Sequence, residues 1–158
     1  RATGQTGIFI AGSGVSIDAV VADFISGAVE WLCPENSENH WDIVEGQGSL
    51  FNVSYAGVTL GLIHGSQPDA IVVCHEAGRP HMRSMPHFPL IDLPTCIDFN
   101  LQAARLTNPD VRCVGAAINT SRLSEEEGRV FCDKISQEIG LPAVDPLRDG
   151  VASLVDQI

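Results

Sequence analysis

The sequence predicts a three-layer α/β domain with a mostly parallel sheet and helices on both faces. Three observations carry that expectation. Apolar strand-like runs alternate with helical patterns and are joined mainly by short connections, the mark of right-handed β–α–β units. One of those runs, Asp69–Cys74, is apolar on successive residues, as strands buried on both faces are. Finally, several apolar runs end in polar, glycine-containing loops, where open α/β sheets bind ligands.

The elements follow in order. Ile8–Ala11 is wholly apolar and reads as a first strand entering the Gly12-Ser-Gly14 turn. Ile17, Val20, Val21, Phe24, Ile25, Ala28, Val29 and Leu32 then repeat at helical spacing, with Ser16 or Asp18 as cap and Pro34 as stop. Asp42–Val44 reads as a short buried second strand carrying Glu45 at its carboxyl tip, followed by the Gly46-Gln47-Gly48 turn. Ser54–Ile63 suits a helix in which Gly57 and Gly61 permit close packing, and His64–Pro68 breaks it. After the third strand, Asp69–Cys74, the segment His75–Pro94 holds four prolines, three histidines and two arginines and is expected to be irregular. A helix over about Thr95–Leu106, a fourth strand Arg112–Ile118, and a helix from a Ser124–Glu127 capping box to Ile139 follow, Gly140 closing the last. A short Ala143–Val144 strand, an Asp145-Pro146 turn and a final helix near Val151–Gln157 end the chain, with no internal repeat.

Bulk properties narrow the function. With 158 residues and 44% hydrophobic content, the chain suits one domain with a sizeable core, residues 1–158 forming a single unit. A net charge of −11 disfavours nucleic acid and anionic membrane as partners, because phosphate recognition wants clustered Lys and Arg. A small anionic substrate stays compatible, since a local arginine pair outweighs the global field. No apolar run reaches the roughly 18 residues of a membrane span. Five widely spaced cysteines without a CxxC pair suit reduced thiols in the cytoplasm. Arg1 opens directly onto a Thr/Gly-rich loop, and the chain is expected to be the C-terminal part of a longer two-domain protein.

The strand-end residues suggest an enzyme. A carboxylate on a buried strand is costly unless paired or bound to a metal, so Glu45 is expected to find an arginine, a metal or a chemical role. Gln47 and Ser49 share its loop and are candidate substrate contacts, as is His64. His75 at the end of the third strand is a candidate general base, with Glu76 beside it. Arg79 and Arg83, the cation pair of the long loop, could clamp a substrate carboxylate or neutralise Glu45 and Glu76. Hydroxyl and N–H groups of Thr3, Gln5 and Thr6 could meet an anionic ligand, and Asn119 could read a nucleobase edge or close an Asx-turn. His75, His81 and His87 lie six apart, which matches no metal-ligand spacing, and no metal site is assigned.

Segments ATGQTGI (2–8), AGSGVSIDAVVADFISGAVE (11–30), DIVEGQGSL (42–50), GVTLGLIHGSQPDAIVVCHE (57–76) and INTSRL (118–123) together resemble one family. It is the C-terminal P-loop-like domain of a large bacterial group long labelled a domain of unknown function, some of whose members are described as D-glutamate N-acetyltransferases. The resemblance spans nearly the whole chain and implies a P-loop-NTPase-like fold lacking its N-terminal phosphate-loop unit. Full-length members carry a Rossmann-like domain and a Gly-Lys-Thr phosphate loop ahead of the ATGQTGI segment, and no GxxxxGK occurs here. It implies acetyl transfer from acetyl-CoA to the amine of D-glutamate in D-amino-acid catabolism. Glu45 or His75 would be the base, Arg79 and Arg83 the carboxylate clamp, and the Gly46–Gly48 N–H groups the oxyanion donors. Thr3, Gln5, Thr6, Gly46, Gly48 and Asn119 would face the cofactor, and a homo-oligomer is expected. Similarity to dethiobiotin-synthetase-like enzymes, in which a Val-Glu-Gly turn lies by the metal and an Asn meets adenine, supplies the alternative. That alternative is an ATP- and Mg²⁺-dependent ligase or kinase-like enzyme using Glu45, Thr6, Asp18 and Asn119. A non-catalytic nucleotide- or CoA-binding module is a third reading.

Overall fold

A computed structural model describes residues 1–158. The chain separates into two compact units, Arg1–Pro68 with Leu106–Pro109, and Asp69–Arg105 with Asp110–Ile158.

The first unit is helical. It contains α1 (Gln5–Ala11), α2 (Ile25–Leu32) and α3 (Ala56–Ser66). The expected strand at Ile8–Ala11 is therefore helix, and Gly12 is its stop. Gly12 adopts the left-handed conformation (φ 68°) and donates its N–H to Ile8 O at 2.8 Å, the close of a helix rather than the exit of a strand. Phe9 and Ile10 project into solvent. The expected long helix over 17–32 is divided. Two 3₁₀ turns, Ile17–Ala19 and Ala22–Phe24, flank extended backbone at Val20 and Val21. Adjacent β-branched residues crowd the preceding helical turn and favour that extended conformation.

Close approach organises this unit. Gly61 and Gly65, four apart on α3, face α2: a Cβ on Gly61 would lie 2.3 Å from Ile25 Cγ2, and one on Gly65 2.3 Å from the Ser26 carbonyl oxygen. Only glycine lets the two backbones meet there. Ile17, Ile25, Val29 and Leu62 form the small core thus made. The helix continues through His64 to Ser66, past the expected break, and Gln67 ends it with φ 47°.

Asp42–Val44 is not a strand. It pairs with no other segment, and Trp41 through Gly48 are all exposed. Without a ladder partner, these exposed residues leave their N–H and C=O groups to water.

The second unit carries the sheet. In it β1 (Ala70–Glu76) precedes a hairpin of β2 (His81–Met82) and β3 (Met85–Pro89), then α4 (Leu93–Ala104), β4 (Arg112–Asn119), α5 (Glu125–Ile139), β5 (Ala143–Val144) and α6 (Ala152–Val155). The parallel sheet runs β1–β4–β5. The hairpin lies within the segment expected to be irregular, with Ser84 at φ 62° in its turn. Helix α4 begins two residues early because Asp92 caps it, accepting from Thr95 N at 2.8 Å, while Pro94 sits in the first turn, where no helical N–H is needed.

Helix α5 opens with the expected capping box. Ser124 Oγ accepts from Glu127 N, and the Glu127 carboxylate accepts from Ser124 N at 2.9 Å. Val73, Ala116, Ile118, Ala143, Leu93, Cys132 and Ile135 form the main core, joining the sheet to α4 and α5. No helix is long and apolar enough to cross a membrane. All five cysteines are free thiols.

Candidate functional site

Parallel pairing aligns three strand ends in the second unit. Register sets Glu76 opposite Asn119 and His75 opposite Ile118, while Ala117 pairs with Val144, one residue before Asp145. Glu76 and Asn119 thus end β1 and β4, and Asp145 follows β5, at one edge, the edge at which open α/β sheets take ligands.

Glu76 is the hub of that edge. Its carboxylate is largely buried and meets two guanidinium groups: Arg79 Nη2 contacts one oxygen, and Arg122 Nε lies 2.9 Å from the other. Arg79 comes from the loop just after β1 and Arg122 from the turn after β4, so strand register brings together residues 43 positions apart. One carboxylate against two guanidiniums leaves a surplus positive charge on a chain of net charge −11.

The period of two sends His75 to the face opposite Glu76. It shares Val73's side, and its ring stacks on Phe131 of α5, centroids 6.1 Å apart and planes 5° from parallel. Burial, and then the nearby Arg79 charge, push the imidazole below its ordinary 6.5. Both effects disfavour the cation, so His75 is neutral at pH 7.

A buried latch completes the edge. Thr120, fully buried, donates both its hydroxyl and its N–H (3.0 Å) to Asp145 Oδ2. Asp145 Oδ1 accepts from Leu147 N at 3.0 Å, and Arg148 stands 3.9 Å from the carboxylate while donating to the carbonyls of Leu123 and Ser124. Burial of Asp145 opposes ionisation, but the Thr120, Leu147 and Arg148 hydrogen bonds prevail and hold its carboxyl below the usual range. Gly128 makes room for this arrangement, since a Cβ there would lie 2.8 Å from both Thr120 Oγ1 and Arg148 Nη1.

Several expected roles change against this geometry. Arg83 follows β2 at the exposed hairpin turn and enters no ion pair, whereas Arg79 is paired with Glu76. Asn119 takes the Asx-turn of its two expected roles, its Oδ1 accepting from Ser121 N at 3.0 Å. Glu45 is exposed, off any strand, and enters no ion pair, so the desolvation argument for it fails. Arg122, Thr120 and Asp145 escaped the sequence reading. The pairing of Glu76 with Arg122 requires the β1–β4 register, although Arg122 lies within the INTSRL segment.

The remaining candidates belong to the first unit. Gln5 and Thr6, with Gly4, Ser16 and Asp18, line an open concavity of about 560 Å³. Thr3 holds the next segment through its carbonyl, which accepts from Ile17 N at 3.2 Å. The Gly46–Ser49 turn is anchored from within: Thr59 Oγ1 donates to the Gln47 carbonyl, Gly48 has φ 43°, and Ser49 Oγ accepts from Phe51 N at 3.1 Å. His64 lines a second concavity of about 350 Å³ with Ser26, Ser54 and Gly57. Glu45 and this turn thus lie in one unit, and His75, Glu76, Arg79 and Asn119 in the other.

Comparison with known proteins fits this architecture. The profile of a family described as "Domain of unknown function (DUF1611_C) P-loop domain" matches residues 1–155. The chain belongs to that family. A D-glutamate N-acetyltransferase from a Pseudoalteromonas species is 59% identical over 98% of the chain, and one from Tritonibacter scottomollicae is 51% identical over 100% of it. The chain spans about half of those relatives, 47% of each. A crystal structure of a DUF1611 family protein from Anabaena variabilis superposes with a TM-score of 0.86 at 40% identity, covering 98% of this chain and 46% of that one. The P-loop α/β class expected from the sequence is thereby established for this DUF1611 chain.

Proposed function

We propose that the protein to which this chain belongs transfers an acetyl group from acetyl-CoA to the amine of D-glutamate. The observation that carries the reading is the 59% and 51% identity, over essentially the whole chain, to relatives bearing that activity in their names.

The chemistry needs few groups. The ammonium of D-glutamate must lose a proton before its nitrogen can attack the acetyl carbonyl carbon. An N–C bond then forms, the C–S bond breaks, and the departing CoA thiolate takes up a proton. His75 suits the first task because burial and the Arg79 charge keep it neutral and able to accept. Glu45 is the competing base. With Glu45 as base, the N–H groups of its own Gly46–Gly48 turn, with Gln47 and Ser49, are the proposed oxyanion and acyl-group contacts. Thr3, Gln5 and Thr6 are the proposed contacts to the CoA moiety. Arg79 supplies positive charge for an acidic acceptor. The protein is proposed to act in the cytoplasm, as a homo-oligomer.

The test is incubation of the full-length protein with acetyl-CoA and D-glutamate, reading free thiol and N-acetyl-D-glutamate together. Both are expected to rise in equal amounts. Absence of thiol release would end the proposal, and unchanged turnover in both Glu45→Gln and His75→Ala would end the base assignment. A second reading, an ATP- and Mg²⁺-dependent enzyme, draws on the P-loop description of the family and on Thr6 and Asp18 lining one concavity. It requires Mg²⁺-dependent ADP formation.

A further inference from the structure

We infer that Arg122, paired with Arg79 and oriented by Glu76, forms the recognition site for a carboxylate of the acceptor substrate. This rests on the acetyl-transfer reading for the substrate's identity, but the geometry behind it is independent of that reading.

Each arginine spends only part of its donor set on Glu76. Arg122 uses Nε, so both of its terminal nitrogens stay open, and its side chain is 71% exposed. Arg79 uses Nη2 and is one-third exposed. Glu76 is 14% exposed and lies between them. A guanidinium carries five N–H donors in a rigid fork matched to the two oxygens of a carboxylate. Holding one side of each fork on a buried carboxylate fixes where the other side points.

Charge supports the same conclusion. Arg148, the other arginine near this edge, is engaged by Asp145 and two backbone carbonyls. The Glu76 cluster keeps one positive charge that no protein group neutralises. An anion arriving there replaces water rather than a protein partner, so no existing pair has to break. Glu76 is then a positioning residue, not a substrate contact, and Arg122 takes the place that Arg83 holds in the sequence-based expectation.

The experiment compares Arg122→Ala, Arg122→Lys and Arg83→Ala in the full-length protein. Losing a charge-assisted, bidentate contact is expected to raise KM for D-glutamate by about tenfold to a hundredfold while kcat changes little. Arg122→Lys keeps the charge without the fork and is expected to fall between wild type and Arg122→Ala. Arg83→Ala should match wild type. D-glutamine and D-isoglutamine, which replace the side-chain and α-carboxylates respectively, identify which carboxylate is held. The corresponding amide should lose its disadvantage in Arg122→Ala. An unchanged KM in Arg122→Ala, or an equal rise in Arg83→Ala, overturns the assignment. If wild type acetylates no D-glutamate, the functional proposal falls and glutarate becomes the probe. Salt-sensitive chemical-shift changes with glutarate that vanish in Arg122→Ala still uphold the carboxylate site, and their persistence overturns it.

Discussion

Replacing Asp145 with alanine tests the latch that closes the sheet edge. Thr120 has no solvent exposure, and its hydroxyl and N–H both end on Asp145 Oδ2. Removing the carboxylate leaves two donors where water cannot reach them, each costing about 1–3 kcal/mol. Leu147 N also loses its acceptor, but Leu147 is exposed and water replaces it at small cost. Arg148 keeps its bonds to the Leu123 and Ser124 carbonyls. The expected loss is therefore about 2–5 kcal/mol, a large part of the stability of a small domain. Asp145→Asn should lose less, because its amide oxygen can still accept from Thr120. Far-UV circular dichroism during urea unfolding is the suitable assay. Fluorescence is not, since both tryptophans, Trp31 and Trp41, lie in the first unit. A double-mutant cycle with Thr120→Val should show coupling of at least about 1 kcal/mol. An Asp145→Ala chain within about 0.5 kcal/mol of wild type would refute the reasoning, because surface substitutions alone cost that much.

Asp145 also sets an acid limit. Its carboxyl is held below 3.8, so its contribution is complete above that value and disappears as pH falls through the lower folded pKa; Asp145→Asn should flatten acid unfolding in that range. His75 is lowered too, which makes both states neutral above pH 6.5 and lets the unfolded chain protonate first below it. Stability is thus lost as pH falls from 6.5 toward the folded value, and the acid limb of kcat/KM should lie below 6.5 and vanish in His75→Ala. In the first unit, Gly65→Ala forces a methyl toward the Ser26 carbonyl and Val29 and should cost about 1–3 kcal/mol with a shift in Trp31 emission. Gly57→Ala, on the same helix but facing open space, should be neutral or stabilise by about 0.5 kcal/mol.

How much of this was legible in the sequence depended on whether the signal was local. The capping box at Ser124, the apolar runs of β1 and β4, and the short β5 are each specified by residues within a few positions, and each formed close to its expected bounds, although Val72 and Cys74 leave one face of β1 exposed where burial on both faces was expected. Ile8–Ala11 is local but ambiguous: four apolar residues before a glycine suit a buried strand or the last turn of a helix, and no periodicity separates them. Asp42–Val44 depended on a ladder partner that no other segment supplies. The same distinction governs the site. His75 and Glu76 were visible as strand-end residues, and Arg79 as their neighbour. The partnership of Glu76 with Arg122, and of Thr120 with Asp145, arises from strand register, which no single segment encodes. Pro94, counted with the irregular segment, sits instead in the first turn of α4, where a proline needs no helical N–H.

The central functional claim meets its most direct test in tracing the acetyl group itself. Full-length protein supplied with acetyl-CoA labelled with ¹³C in the acetyl carbons, and with unlabelled D-glutamate, should yield N-acetyl-D-glutamate two mass units heavier, in step with thiol release. Label recovered only as acetate or unreacted thioester, with D-glutamate unchanged, would contradict it.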